Sequence, residues 1–140
     1  MSVEFIDTNV LVYAHDVSAG KKFKVAGDLV GRLLGERSVA VSVQVLLEFF
    51  ITVTRKVSRP LSWQQAGEIL ADLATWPLYA PDGHDVLEAV SISGRYDISV
   101  WDAMIVQAAA SMGASVIWTE DLNSGQLYEG VEVRNPFLSR

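Results

Sequence analysis

The chain has 140 residues, of which 50% are hydrophobic and 20% charged, and its formal net charge is −6 at pH 7. Residues 1–140 are predicted to form one domain with a sizeable core, and no apolar run approaches the ~18 residues that a membrane span requires. The chain has no cysteine, which excludes disulfides and thiolate metal sites, and no apparent signal peptide, so we expect a cytoplasmic protein without membrane attachment.

Hydrophobic periodicity predicts strands and helices in regular alternation. The predicted strands are residues 3–6, 38–42, 77–80, 114–118 and 131–133, and the predicted helices are residues 10–14, 23–34, 44–56, 62–73, 85–94 and 99–112. Ser62 and Gln65 match a capping box, and Gly35 and Gly113 are predicted to stop the helices before them. Because such alternation favours a parallel sheet covered on both faces, we predict a single-domain α/β/α sandwich with a mostly parallel sheet of about five strands.

Two aspartates follow predicted buried strands. Asp7 comes directly after the strand at 3–6, and Asp121 lies shortly after the strand at 114–118. The carboxyl ends of parallel strands meet at one edge of a sheet, where α/β folds place their ligands. Each aspartate also has a structural interpretation, because Asp7 could cap the next helix and Asp121 could form an Asx turn.

Two further carboxylates occupy unusual places. Glu48 lies in the most apolar stretch of the chain, where a charge is rare unless it is paired or bound to a metal. Its structural alternatives are an ion pair, with Arg55 two turns on as the candidate, and a side chain that extends to the solvent. Asp102 and Ser99 match a capping box, but Asp102 also shares a helix face with Ile105, which belongs to the stripe predicted to face the sheet.

Asp7, Glu48, Asp102 and Asp121 are predicted to converge on one edge of the sheet. Like charges about 4 Å apart repel by roughly 4 kcal/mol per pair at an effective dielectric constant of about 20, so the cluster needs a cation or shared protons. A ligand set made only of oxygen suits Mg²⁺ or Mn²⁺ better than zinc. Such an ion activates water for attack on a phosphodiester, which makes these four residues candidate metal ligands and catalytic residues.

The segments that hold these carboxylates resemble the PIN domain family, in particular the VapC toxins of type II toxin–antitoxin modules. The matching segments are FIDTNVLVY at 5–13, Glu48 in the third helix, ISVWDA at 98–103 and WTEDLNSG at 118–125. Each motif is short, but together they follow the family's order and spacing over essentially the whole chain.

The resemblance implies a sheet of strand order 3-2-1-4-5 and an acidic pocket that holds Mg²⁺ or Mn²⁺. The family's catalytic and metal-binding positions correspond to Asp7, Glu48, Asp102 and Asp121, with Thr8, Asn9 and Thr119 in support. The implied activity is metal-dependent endonucleolytic cleavage of single-stranded RNA that leaves a 5′-phosphate and a 3′-hydroxyl. The implied partners are a small VapB-like antitoxin, which inhibits the enzyme, and a second copy of the chain in a homodimer.

Two other functions are compatible with an α/β fold of this kind. A non-catalytic PIN-like scaffold that binds RNA or protein is the alternative, although the complete acidic set argues against it. A phosphotransferase with Asp7 as nucleophile is not favoured, because the chain has no lysine after residue 56.

The remaining polar and aromatic residues receive other predictions. His15 and His84 are predicted at the surface. The four tryptophans could stack bases, but because all of them fall in apolar patterns they are predicted in the core. The one dense basic run, at residues 21–24, could help to hold RNA, as could Arg95 and Tyr96. The apolar seat that an antitoxin segment needs is predicted at Val12, Tyr13, Phe49 and Val53.

Overall fold

The computed structural model describes residues 2–138. Within them the strands are β1 (Val3–Ile6), β2 (Val39–Ser42), β3 (Leu78–Tyr79), β4 (Ala114–Trp118), β5 (Leu127–Tyr128) and β6 (Val131–Arg134). The α-helices are α1 (Thr8–Ala14), α2 (Lys21–Gly35), α3 (Val43–Arg55), α4 (Trp63–Leu73), α5 (Gly83–Tyr96) and α6 (Val100–Ser111). The elements therefore alternate as the hydrophobic pattern predicts, and none of the described helices is long and apolar enough to cross a membrane.

The sheet has the strand order β3-β2-β1-β4-β6-β5. β1 lies parallel to β2 on one side and to β4 on the other, and β4 lies parallel to β6. This arrangement confirms the mostly parallel sheet and the predicted order, with β6 as the strand predicted at 131–133. Phe5, Ile6 and Ile117 have no exposed surface, because both faces of the sheet are covered.

An additional edge strand extends the predicted sheet. β5 pairs antiparallel with β6 through a turn in which Glu129 and Gly130 have φ values of 49° and 81°. A strand of two residues is too short for alternation to be detected in the sequence. The hairpin therefore becomes visible only through its pairing with β6.

Two helix ends differ from the prediction. α5 is longer than predicted because Asp82 and Asp85 form a capping box at its start, and it ends at Asp97 with a left-handed φ of 55°. Gly35, predicted as the stop of α2, is the last residue of that helix, and Arg37 takes the positive φ of 55° instead. At the end of α6, Gly113 has the predicted left-handed conformation, with φ 71°.

Candidate active site

Neighbouring strands place Asp7 and Thr119 side by side. Ile6 on β1 pairs with Trp118 on β4, so the next residue of each strand leaves the same edge of the sheet. The amide of Asp7 donates to the carbonyl of Trp118 at 3.0 Å, and its carboxylate accepts from the amide of Thr8 at 2.7 Å. Asp7 therefore does cap α1, as the structural interpretation proposed, but it is also a buried carboxylate with only 5% of its surface exposed.

The hydroxyl of Thr119 is the centre of the hydrogen-bond network at this edge. It donates to Asp7 Oδ2 at 2.8 Å, and it accepts from Asn9 Nδ2 and from the amide of Asp121, both at 3.1 Å. Because two donors already reach the oxygen, its own hydrogen is directed to Asp7. Thr119 is fully buried, so this one side chain connects β1, α1 and the loop after β4 without competition from water.

The side-chain amide of Asn9 uses both of its ends to bond the three residues that follow β4. Its nitrogen donates to Asp121 Oδ2 at 3.0 Å as well as to Thr119, and its oxygen accepts from the amide of Glu120 at 3.3 Å. The orientation of the amide is determined by these partners, since a flipped amide would place its oxygen against a carboxylate. Asn9 thereby holds Asp121 next to the end of β1.

Glu48 reaches the same region from α3. Its Oε1 accepts from the hydroxyl of Thr8 at 2.9 Å, and its Oε2 lies 3.5 Å from Nε2 of Gln44, one helical turn earlier. The alternative of an ion pair with Arg55 is wrong, because no basic side chain in residues 2–138 pairs with Glu48. Gln44 also donates to the carbonyl of Trp101 at 3.1 Å, so it joins α3 to the start of α6.

Asp102 lies in the first turn of α6, but only half of the predicted capping box is formed. The hydroxyl of Ser99 accepts from the amide of Asp102 at 3.1 Å, but α6 lacks the reciprocal bond, in which the amide of Ser99 would donate to the Asp102 carboxylate. The Asp102 carboxylate is therefore not bonded to the backbone of the helix cap. It lines the cavity into which the other three carboxylates face.

The four carboxylates line one cavity of about 610 Å³, together with Thr8, Asn9 and Gln44. Burial raises the pKa of Asp7 from 3.8 to about 7; the hydrogen bonds from Thr119 and Thr8 oppose this rise, and the charges of Asp121 and Glu48 add to it. Burial also raises the pKa of Asp102, with further contributions from Asp121 and Glu48 that the Ser99 hydroxyl opposes. Without a cation, the cavity therefore disfavours full ionisation of its carboxylates.

The oxygen donors of the cavity are of the kind that binds a hard divalent cation, but their present positions do not form a coordination site. Among residues 2–138, no three acidic or histidine side chains already form a group that could hold one metal ion. The carboxylates are spread over the cavity walls, so binding one ion between three of them requires side-chain rotation. Oxygen-only donors and a buried carboxylate of raised pKa are what Mg²⁺ or Mn²⁺ would stabilise.

The predicted seat for an antitoxin segment is wrong in part. Phe49 and Val53 are 0% and 3% exposed, because they are on the face of α3 that packs into the core. Tyr13 does line the cavity, but its hydroxyl donates to Glu120 at 2.7 Å. The apolar side chains that are exposed at this cavity are instead Ile51 and Trp101.

The prediction of four core tryptophans is also wrong for two of them. Trp63 and Trp101 are 69% and 66% exposed, and each lies in the first turn of its helix, whereas Trp118 is buried. Trp101 lines the cavity, although its position in an apolar segment predicted a place in the core. Gln44 was missed as well, and its position four residues before Glu48 was the available signal.

The basic residues considered for RNA binding are mostly engaged elsewhere. Lys22 forms an ion pair with Glu120 at 2.7 Å, and its ammonium lies 4.7 Å from the centre of the Tyr13 ring. Arg95 and Tyr96 both bind the carboxylate of Glu129, at 2.6 and 2.8 Å, and so connect α5 to the β5–β6 turn.

Replacement of Thr119 tests whether its hydroxyl holds the site together. Thr119→Val should lower the free energy of unfolding by about 2–3 kcal/mol, because the Asp121 amide and Oδ2 of Asp7 both lose the hydroxyl that bonds them. Thr119→Ser keeps the hydroxyl and should cost only about 1 kcal/mol for the lost methyl group. Urea unfolding measures both, and equal losses in the two variants would contradict the role given to the hydroxyl.

Comparison with known proteins identifies related folds. The model of the PIN domain family matches residues 5–129. The VapC20 toxin of Mycobacterium tuberculosis, described as cleaving the sarcin-ricin loop, superposes with a TM-score of 0.64 at 18% identity, over 84% of this chain and 89% of that chain. A toxin–antitoxin complex from Klebsiella pneumoniae gives 0.70 at 18% identity, over 97% and 98% of the two chains. DNA-bound VapBC from Salmonella typhimurium gives 0.65 at 16% identity, over 97% and 99%. No curated protein matches the sequence at a significant level.

Proposed function

The chain belongs to the PIN domain family, and on this basis we propose that it is a metal-dependent endoribonuclease of the VapC toxin type that cleaves single-stranded RNA. The observation that carries the proposal is the cavity into which Asp7, Glu48, Asp102 and Asp121 all face. Like charges that line one cavity repel each other, most of all where one of them is buried as Asp7 is, and a cation that joined them would offset this cost. The name of the VapC20 neighbour, a toxin that cleaves the sarcin-ricin loop, supports RNA as the substrate.

The cavity residues have two roles: the carboxylates would bind the ion, and their neighbours orient the carboxylates. Asp7, Glu48, Asp102 and Asp121 would bind Mg²⁺ or Mn²⁺, which when bound would supply an activated water and neutralise the charge of the phosphodiester. Thr119 and the Thr8 amide orient Asp7, while Asn9 orients Asp121. Thr8 and Gln44 orient Glu48. These bonds fix the present orientation of Asp7, Asp121 and Glu48 at the cavity, and binding of an ion would require some of these side chains to rotate.

The proposed activity is tested by metal dependence. The purified protein is incubated with an RNA that contains single-stranded loops, in Mg²⁺, in Mn²⁺ or in EDTA. We expect cuts in the loops, with 5′-phosphate and 3′-hydroxyl ends, that EDTA stops and added Mn²⁺ restores. Asp28→Asn is the control for loss of an acidic charge, because Asp28 is exposed on α2 and bonds only to Lys24. Cleavage that continues unchanged in EDTA would show the metal mechanism to be wrong.

A PIN-like scaffold that binds RNA or protein without cleaving it is the second candidate. It is favoured by the spread of the carboxylates, which do not yet form a ready ligand group among the described residues. Calorimetric titration with Mn²⁺ distinguishes the two candidates, since the nuclease requires binding that disappears in Asp102→Asn. Saturable RNA binding with neither metal binding nor cleavage would favour the scaffold.

An inhibitory partner follows from the same cavity. We propose a small VapB-like antitoxin, because neighbours of the same fold are described as toxin–antitoxin complexes. A guanidinium from such a partner could pair with the carboxylates in place of the metal. We expect the complex with the product of the neighbouring gene to lack RNA cleavage, and Glu48→Gln to weaken its affinity. A complex with full activity would contradict this model. The homodimer stays a prediction, which light scattering tests.

A further inference from the structure

We propose that two further cavity residues hold the RNA strand, with one base stacked on the ring of Trp101 and one phosphate bound by Lys56. This inference rests on the proposed function, because it names contacts of the same substrate at the same cavity. Both residues line the cavity, and neither belongs to the acidic set.

Trp101 presents a large aromatic ring to solvent, and a hydrogen bond to its backbone carbonyl helps to fix its position. It directly precedes Asp102, and its carbonyl accepts from Gln44, which also approaches Glu48. The ring is 66% exposed, and no described residue accepts a hydrogen bond from its indole N–H. A flat, exposed aromatic face beside the reacting groups is suited to stacking on a nucleobase, whatever the base.

Lys56 is the one basic residue among the described residues that line the cavity. It is the C-cap residue of α3, and a basic residue at this position is common because the helix dipole favours positive charge there. No acidic side chain in residues 2–138 forms an ion pair with it. Lys22 and Lys24, by contrast, are paired with Glu120 and Asp28. In a chain of net charge −6, Lys56 therefore supplies the positive charge that a phosphate needs beside an acidic cavity.

The shape and lining of the cavity around Trp101 and Lys56 favour a single strand of RNA over the apolar face of a helix. Its volume of about 610 Å³ is that of a site for a small ligand and suits one or two nucleotides rather than a duplex. An aromatic ring combined with a cation is the usual means of holding a single strand. A helical peptide needs a continuous apolar groove, whereas polar Thr52, Lys56 and Ser58 interrupt Ile51 and Val57 along this wall.

The test measures RNA affinity in the Asp7→Asn background, by fluorescence anisotropy with Mg²⁺ and a labelled single strand of about 12 nucleotides. Trp101→Ala should weaken binding by about 5- to 100-fold, while Trp101→Phe, which keeps an aromatic face, should retain most of the affinity. Trp63→Ala is the matched control, because Trp63 is 69% exposed but does not line the cavity.

The same assay at several salt concentrations tests Lys56. Lys56→Gln should reduce the slope of log affinity against log salt by about 0.7, the value for one phosphate contact on a single strand. Arg55→Gln is the matched control, since Arg55 is exposed at the end of the same helix but does not line the cavity. Its slope should remain that of the background protein.

Three results would overturn the inference: unchanged affinity in Trp101→Ala, an equal loss in Trp63→Ala, or an unchanged salt slope in Lys56→Gln. Loss of antitoxin binding by Trp101→Ala with RNA affinity intact would also overturn it, because the ring would then serve a protein partner. Failure of the proposed function has a different signature. A protein that binds RNA through Trp101 and Lys56 but never cleaves it would support this inference and contradict the nuclease.

Discussion

Asp7→Asn is expected to lower the rate of RNA cleavage at least about 100-fold. Mutation of groups that merely orient metal ligands typically costs about 10- to 100-fold, and Asp7 is proposed as a ligand itself. Asparagine has the same shape and can still accept from the Thr8 amide or the Thr119 hydroxyl, so we expect the fold to persist. Initial rates on labelled RNA in saturating Mn²⁺ measure the effect.

The control for this prediction is Asp28→Asn, which removes the same charge from an exposed position on α2. Circular dichroism and urea unfolding establish that both variants are folded before their rates are compared. Cleavage by Asp7→Asn at the rate of the unmodified protein would exclude Asp7 from the catalytic set and remove the main support for the proposed mechanism.

In EDTA, the protein is expected to lose about 2–3 kcal/mol of its free energy of unfolding between pH 5 and pH 8 through Asp7 alone. The pKa of Asp7 is about 7 in the folded protein against 3.8 for the free side chain, so the folded state binds this proton more tightly. The corresponding stability is fully present below pH 3.8 and is lost as the pH rises through 7. Asp102, whose pKa is also raised by burial, acts in the same direction.

Urea unfolding at pH 5 and pH 8 measures this loss in the unmodified protein and in Asp7→Asn. The variant has no proton to release at this position, so its stability should fall less, and the contributions of other residues cancel in the difference. Identical pH profiles would show that Asp7 is not a buried carboxyl of raised pKa.

Divalent metal should reverse the destabilisation at pH 8. An ion that binds only the folded state raises the free energy of unfolding by mass action, by about 2.7 kcal/mol at 100 times its dissociation constant. We expect Mn²⁺ to raise the melting temperature of the unmodified protein and to have a smaller effect on Asp102→Asn and Asp121→Asn. A melting temperature that millimolar Mg²⁺ and Mn²⁺ leave unmoved would mean that the carboxylates do not converge on an ion.

The strands, the helices and the acidic candidates could be predicted because each is indicated by residues that lie close together in the sequence. Residues 3–6 and 114–118 are short runs that are apolar except for Glu4 and Ser115, which is close to the pattern of a strand buried on both faces. The position of Asp7 and Asp121 at the ends of these runs was sufficient to predict that they lie at one sheet edge. Ser62 and Gln65 likewise form the predicted capping box, because a cap depends on residues three apart.

The tertiary structure alone decided which side chains meet and which remain exposed. Thr119 and Asp7 are 112 positions apart, and their contact depends on the parallel register of β1 and β4, which no local pattern encodes. Gln44 reaches Trp101 across 57 positions for the same reason. Hydrophobic periodicity indicates which face of a helix is apolar, but it does not indicate whether the first turn of that helix is covered by other elements. The exposure of Trp101 therefore depends on how the helices are arranged around the cavity.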